Sequence, residues 1–141
     1  MAPIMEGLMA RVTGVGGIFF KCDDPKALSE WYRRVLGLAV EDWGGVLFRP
    51  DANGPPKLVW NPFSQDTNYF APSARRCMIN FAVDDLDGML ARLTEHGVEI
   101  LGRSDDDSFG RFAWFLDPAD IKVELWEPNP IAPATQSGKV E

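Results

Sequence analysis

The hydrophobic and polar positions of this chain follow the same pattern twice. Residues 17–25 read GIFFKCDDP and residues 78–86 read MINFAVDDL, two apolar runs that both lead into an acidic pair. Each run is followed by apolar residues at the spacing of an amphipathic helix. The helical stripes are Leu28, Trp31, Tyr32, Val35 and Leu36 in the first copy, and Leu86, Met89, Leu90 and Leu93 in the second. The pattern predicts a strand followed by a core-facing helix in each half.

Short strand-like runs follow each helix. Gly37 and Gly97 come directly after the helical patterns and suit left-handed C-terminal caps. Turn-forming residues at Gly44-Gly45 and in the segments DANGPP, SDDDS and DPAD separate the apolar runs. The predicted strands cover residues 38–42, 46–49 and 57–60 in the first half, and 98–101, 111–116 and 122–126 in the second. Each half therefore reads strand, helix, strand, strand, strand.

The length of 141 residues fits one domain. We expect a single domain over residues 1–141, with a first module over about 12–62 and a second over about 76–128. Residues 63–75 are predicted to link the modules. Residues 129–141 are rich in proline and small polar residues and are predicted to form a tail.

Composition narrows the function classes. The net charge is −7, and no cluster of Lys and Arg exists that could follow a phosphate backbone, so nucleic acid is not expected as a partner. No apolar run reaches the roughly 20 residues that a membrane helix needs. Two cysteines outside any CxxC spacing are typical of a reduced, cytoplasmic protein. The single histidine, His96, makes multi-histidine metal sites and Ser-His or Cys-His nucleophiles hard to build.

The repeated pattern resembles the vicinal oxygen chelate superfamily, whose plan is two tandem βαβββ modules. The motifs that carry the resemblance are DPKALSEWYRRVLGL, NFAVDDLDGMLARLTEHGVEI and GRFAWFLDPADIKVELWEP. The superfamily includes glyoxalase I, bleomycin resistance proteins, extradiol dioxygenases and methylmalonyl-CoA epimerase. In the last motif Asp120 stands where the family has a turn glycine. The resemblance implies an α+β fold, a curled mixed sheet shaped like a cup with helices on its outer face, and a homodimer.

Metal enzymes of this superfamily place ligands on the first and last strand of each module. Carried over by motif, those positions are Gly17, Leu58, Met78 and Glu124, of which only Glu124 is a suitable ligand. Divalent cations need several carboxylate or imidazole ligands, and a methionine thioether is too soft for most of them. We therefore expect no metal and no other cofactor.

Strand alternation predicts which side chains face the cup. It assigns Asn80 and Glu124 as the polar points of an apolar, aromatic lining. Glu124 is either a general acid or base or a carboxylate neutralised by Lys122 or an arginine. Asn80 either orients a ligand or bonds to neighbouring backbone, and Arg111 either clamps an anion or forms a solvated salt bridge. The predicted ligand-binding residues are Phe19, Trp43, Phe48, Trp60, Met78, Asn80, Arg111, Trp114 and Trp126, although the same aromatics could fill a core.

Three functions are compatible with these residues. The first is a metal-independent protein of the bleomycin-resistance type that binds a small organic molecule in the cup. The second is a glyoxalase-like lyase or isomerase that uses Glu124 as acid or base. The third is a non-catalytic interaction module whose cup is filled by its own aromatic side chains. The sequence does not decide whether the protein is an enzyme.

Overall fold

A computed structural model describes residues 9–54 and 56–129, except for the side chains of residues 106 and 107. The elements follow in the order β1 (Val12–Cys22), α1 (Pro25–Leu36), β2 (Val46–Phe48), β3 (Leu58–Ser64), β4 (Cys77–Val83), α2 (Leu86–Glu95), β5 (Gly102–Asp107), β6 (Gly110–Leu116) and β7 (Lys122–Pro128). The seven strands form one sheet in the order β2-β3-β1-β4-β7-β6-β5. Parallel pairs β1–β3 and β4–β7 lie within the two modules, and the antiparallel pair β1–β4 joins them. The α+β class and the curled mixed sheet are confirmed.

Two of the predicted strands differ in the structure. Residues 38–42 contribute only one bridge, Val40 to Val46, because Glu41 N–H donates to Gly45 O at 2.8 Å and closes a tight turn there. In the second module the strand covers Gly102–Asp107, so it begins after the predicted run 98–101 and includes most of the predicted SDDDS turn. Asp105 is tolerated in this edge strand because its side chain is exposed and forms ion pairs with Arg103 and Arg111.

Both helices end at the glycines that the sequence predicts, and an aspartate caps the start of each. The Asp24 carboxylate caps α1 by accepting from Ala27 N–H at 3.1 Å, and Asp85 caps α2 by accepting from Gly88 N–H at 3.0 Å. Gly37 (φ 72°) and Gly97 (φ 77°) are both left-handed beyond the helix ends. These caps orient the helices over the outer face of the sheet.

The two helical stripes are not equally buried. In α2, Leu86 and Met89 are buried in a core with Val83, Val123 and Leu125, as predicted. In α1 only part of the stripe packs, with Tyr32 against Trp60 at a ring-centroid distance of 4.7 Å. Leu28 is half-buried. The other three members are exposed, Trp31 by 45%, Val35 by 52% and Leu36 by 61%, so the prediction of a core position for Trp31 was wrong. The apolar face of α1 is therefore wider than the area in which the helix contacts the sheet.

Neither helix with described bounds is long and apolar enough to cross a membrane. The homodimer that the resemblance implies stays a prediction, which light scattering on the purified protein would test.

Candidate functional site

The concave face of the sheet, which we call the cup, encloses a cavity of about 420 Å³. Half of the residues that line it are aromatic, and one of them is charged. The lining residues are Gly16, Phe19, Trp43, Leu47, Pro56, Val59, Asn61, Phe63, Tyr69, Asn80, Ser104, Phe109, Phe112, Trp114, Glu124 and Trp126. Residues from both modules contribute, so the site depends on the β1–β4 junction.

Glu124 lies at the polar centre of the cup and is only 3% exposed. Its carboxylate accepts hydrogen bonds from three protein donors. Asn80 Nδ2 donates to Oε1 at 2.6 Å, Trp114 Nε1 donates to Oε2 at 2.8 Å, and Tyr69 Oη also donates to Oε2. Sheet register places two of these partners, because Asn80 pairs with Glu124 across β4–β7 and Trp114 pairs with Glu124 across β6–β7. A buried carboxylate with this many donors is satisfied without a counter-ion in direct contact.

Lys122 occupies the neighbouring position on the same face of β7. Its ammonium donates to Tyr69 O at 2.7 Å and lies 5.1 Å from the centre of the Tyr69 ring and 5.9 Å from that of Trp114. Burial lowers the pKa of Lys122, and the negative charge of Glu124 opposes that shift. Lys122 is not part of the cavity wall and forms no ion pair with Glu124 within 4 Å among the described residues.

Two polar atoms of the lining are buried without a hydrogen-bond partner, Asn80 Oδ1 and Trp43 Nε1. Trp43 enters the cup from the loop between α1 and β2. A Cβ atom at Gly45 would lie 2.0 Å from the indole, so this glycine lets the ring fold back over the loop. Two residues of the cavity lining therefore each hold one buried polar atom, an acceptor on Asn80 and a donor on Trp43, whose hydrogen bond is not made within the protein.

The aromatic wall of the second module is ordered. The ring of Phe112 is nearly parallel to Trp114 and to Trp126, with interplanar angles of 11° and 6° and centroids 6.4 and 6.3 Å apart. The Trp126 indole is fixed by its N–H, which donates to Phe109 O at 2.9 Å. These three parallel rings line one wall of the cavity and give it an apolar, aromatic surface.

The structure brings six of the predicted site residues into the cup: Phe19, Trp43, Asn80, Trp114, Glu124 and Trp126. The other four do not line the cavity. Phe48 is 41% exposed and Leu47 lines the cup in its place. Met78 is on the same face of the sheet as the cup residues but is fully buried in a cluster with Phe19 and Phe70.

Trp60 was predicted in the cup, but it packs on the opposite face against Phe20 and Tyr32. The parallel register pairs Gly17 with Val59 and Phe19 with Asn61, so the odd-numbered residues of β3 share the cup face of β1. The same register moves Leu58 out of the cup and overturns its assignment as a metal-ligand position.

Arg111 forms a surface ion network with Asp87 at 2.7 Å and with Asp105 and Glu127, both at 3.3 Å. The hydrogen bond to Asp87 raises the pKa of Arg111. The salt-bridge alternative for Arg111 is therefore the one observed.

Tyr69, Asn61 and Phe109 line the cavity and were missed by the sequence argument. Tyr69 lies in the segment predicted as a linker, where no periodic pattern marks it. Asn61 was missed because the face of β3 was assigned the wrong way round.

The side chains that line the cup do not offer the ligands that a divalent cation needs. Glu124 is its one carboxylate, and both of its oxygens accept from protein donors. Across the described residues no group of three His, Cys, Asp or Glu side chains is placed to hold a metal ion.

Several solved structures are similar to this chain. Methylmalonyl-CoA epimerase from Mycobacterium tuberculosis is 21% identical with a TM-score of 0.60, covering 84% of this chain and 90% of that one. A variant of the Streptomyces coelicolor methylmalonyl-CoA epimerase, in complex with 2-nitronate-propionyl-CoA, is 19% identical with a TM-score of 0.61, covering 86% and 98%. The 2,2',3-trihydroxybiphenyl 1,2-dioxygenase from Sphingomonas wittichii is 19% identical with a TM-score of 0.59, covering 91% of this chain and 45% of the dioxygenase. At these identities the similarity shows the fold.

Comparison with curated proteins finds no match. A family model described as a glyoxalase-like domain matches residues 17–126, a range that contains every cavity-lining residue except Gly16. The chain therefore belongs to the glyoxalase-like domain family of the vicinal oxygen chelate superfamily.

Proposed function

We propose that this protein binds a small planar organic molecule in the cup and needs no metal to do so. The observation that carries the proposal is the lining itself, eight aromatic side chains around one buried carboxylate. An apolar lining with a few fixed polar groups is the usual composition of a small-molecule site. The cavity of about 420 Å³ matches the size of such ligands.

The hydrogen bonds of Glu124 favour binding over acid–base catalysis. A general base needs an oxygen that can reach a substrate proton, but Oε2 already accepts from Tyr69 and Trp114, and Oε1, which has one lone pair left, is held in place by Asn80. Substrate deprotonation at Oε2 would require one of these bonds to break. The three donors instead hold the carboxylate in one position, as suits a group that orients a ligand.

An open cavity also counts against an interaction module with a filled cup. The aromatics line the space and do not occupy it. The proteins with similar solved structures have the names of enzymes, but at about 20% sequence identity the similarity supports only a common fold.

Two adjacent residues of β2 provide a matched test. Leu47 lines the cavity, while the next residue, Phe48, is on the exposed side. Naphthylmethanol, a neutral planar probe, is titrated into protein dialysed against EDTA, and binding is measured by isothermal titration calorimetry. We expect saturable one-to-one binding to the wild type and to Phe48→Trp, and at least about tenfold weaker binding to Leu47→Trp, whose indole fills the cavity.

The absence of saturable binding to the wild type, by naphthylmethanol and also by its charged analogues naphthylmethylamine and naphthoate, would overturn the proposal. So would binding that returns only when a divalent metal is restored, or equal binding by both variants. Thermal unfolding checks that each variant folds. If Leu47→Trp does not, Val59→Trp fills the cavity from the neighbouring strand, with Leu58→Trp on the opposite face as its control.

A further inference from the structure

The cavity has a single charge, and it is negative. Of the residues that line it only Glu124 is an acidic residue, and none is a lysine, arginine or histidine. Aromatic faces carry partial negative charge and attract cations. A single carboxylate in an aromatic cavity without a basic lining residue favours a cation over a neutral molecule of the same shape. The nearest ammonium, that of Lys122, lies outside the cavity wall over the Tyr69 and Trp114 rings and weakens this preference without removing it.

An unpartnered acceptor lies beside this carboxylate. Asn80 is only 3% exposed, and its Nδ2 donates to Glu124 Oε1 at 2.6 Å. Because a carboxylate only accepts, this bond fixes the orientation of the amide and turns Asn80 Oδ1 away from Glu124. Oδ1 points towards Gly16, where a Cβ atom would lie 2.3 Å from it, and Gly16 and Asn80 both line the cavity.

Glu124 retains the capacity to accept one more hydrogen bond. Oε2 accepts from two protein donors, whereas Oε1 accepts from Asn80. Each carboxylate oxygen has two lone pairs. Oε1 and Asn80 Oδ1 are therefore two acceptors, linked through one amide group, that a ligand with more than one N–H can use together.

We infer that the ligand is an organic cation, a protonated primary or secondary amine attached to a planar apolar body. This inference rests on the proposed function and adds the chemical class of the ligand. The ammonium donates to Asn80 Oδ1 and Glu124 Oε1, and the planar body lies against the parallel rings of Phe112, Trp114 and Trp126. An amine at this position supplies the hydrogen bond that Asn80 Oδ1 lacks, which is favourable because buried unpaired oxygens are costly.

Three probes of nearly the same shape test the inference: naphthylmethylamine, naphthylmethanol and naphthoate, which are cationic, neutral and anionic at pH 7. Their affinities for the metal-free wild type are measured by calorimetry. We expect naphthylmethylamine to bind at least about tenfold more tightly than naphthylmethanol, because a charge-assisted hydrogen bond to a buried carboxylate contributes about a factor of ten in affinity. Naphthoate should bind most weakly of the three.

The variant Glu124→Gln tests whether the preference for the amine over the alcohol depends on Glu124. Its control is Glu99→Gln, which makes the same change in net charge at an exposed position. In Glu124→Gln the ratio of amine to alcohol affinity should fall about tenfold, while Glu99→Gln should keep the wild-type ratio. Equal affinity for amine and alcohol in the wild type would overturn the inference. So would an unchanged ratio in a folded Glu124→Gln protein.

The outcomes separate the two proposals. If the alcohol binds in the cup and the amine binds no better, the small-molecule function stands and the cationic class fails. If no probe binds, the proposed function fails as well. If Glu124→Gln does not fold, the comparison of the three probes on the wild type still decides the inference.

Discussion

The Trp114 indole N–H donates to Glu124 Oε2 at 2.8 Å across a register pair of β6 and β7. The two side chains thus project from directly opposed backbone positions on the same face of the sheet. The ladder fixes the two backbone positions opposite each other, and this brings the two side chains within hydrogen-bonding reach. Glu124 is oriented by the sheet as much as by its hydrogen bonds.

Replacement of Trp114 by phenylalanine removes this donor and keeps an aromatic ring in the cup. The buried carboxylate then loses one of its three protein donors, and we expect the free energy of unfolding to fall by about 1–3 kcal/mol. Trp31→Phe is the matched control, because Trp31 is 45% exposed on α1 and should change stability by less than about 0.5 kcal/mol. Urea unfolding of both variants measures the difference, and equal losses would mean that the bond to Glu124 contributes nothing.

Gly16 and Gly14 lie on the same strand but differ in the space around them. A Cβ at Gly16 would lie 2.3 Å from Asn80 Oδ1 and 2.9 Å from Trp126, whereas a Cβ at Gly14 would meet nothing within 4 Å. Gly16→Ala should therefore cost about 1–3 kcal/mol of stability and weaken binding of the probes, since Asn80 or Trp126 must move. Gly14→Ala should leave both within about 0.5 kcal/mol of the wild type. Thermal and chemical unfolding, followed by titration with naphthylmethanol, tests the pair.

The sequence predicted the face of some strands and not of others, and the reason is physical. In β7 the alternation of Lys122, Glu124 and Trp126 with Val123 and Leu125 is clear, because the two aliphatic residues cover the core under α2. In β3 the run LVWNPFS has apolar residues on both faces. Alternation then defines two faces but does not say which one is the cup. Which face of β3 lines the cup is determined by its parallel pairing with β1, a strand that is distant in the sequence.

Tyr69 was missed for a different reason. Sequence patterns identify elements with a repeat, and Tyr69 lies in an irregular segment where no repeat exists. Its partner Glu124 is 55 residues away in the chain. Such a contact depends on how the segment between β3 and β4 folds back over the sheet, where Phe63 and Tyr69 stack with ring centroids 5.6 Å apart.

Asp120 occupies a left-handed conformation (φ 66°) at the position where the resemblance implied a glycine. Its carboxylate compensates by accepting from Ala74 N–H at 3.0 Å. Asp120→Ala keeps the unfavourable backbone geometry and loses the bond, so we expect a loss of about 1–2 kcal/mol. Asp120→Gly loses the same bond but removes the backbone cost, and should be about 1 kcal/mol more stable than the alanine variant. Urea unfolding at neutral pH compares the two, and equal stability would show that the backbone is not strained there.

The ion network around Asp87 predicts a dependence of stability on pH. Hydrogen bonds from Arg103 and Arg111 lower the pKa of Asp87 below its usual value of 3.8. Stability from a carboxyl with a lowered pKa is fully present above the unfolded value and is lost as the pH falls through the folded value. The wild type should therefore lose more stability below about pH 4 than Asp87→Asn does, and the difference should shrink in high salt because Asp87 is exposed.

Asp66→Asn is the control for this comparison. Asp66 is exposed and forms no ion pair within the described part of the chain. Urea unfolding at several values between pH 7 and pH 3 should give an Asp66→Asn profile that follows the wild type. An Asp87→Asn profile parallel to the wild type would show that the network does not contribute to stability.

Lys122 should set the strength of cation binding in the cup. Its ammonium lies over the Tyr69 ring and close enough to Glu124 for the two charges to interact. Lys122→Met keeps an unbranched side chain of similar length and removes the positive charge that opposes a bound amine. We expect naphthylmethylamine to bind about threefold more tightly to this variant, while naphthylmethanol changes little. Lys57→Met, at an exposed position, should change neither affinity. Isothermal titration calorimetry on the two variants measures these affinities. Weaker binding of the amine to Lys122→Met would contradict the prediction, since it would mean that Lys122 supports the cation site through Tyr69 and does not repel its ligand.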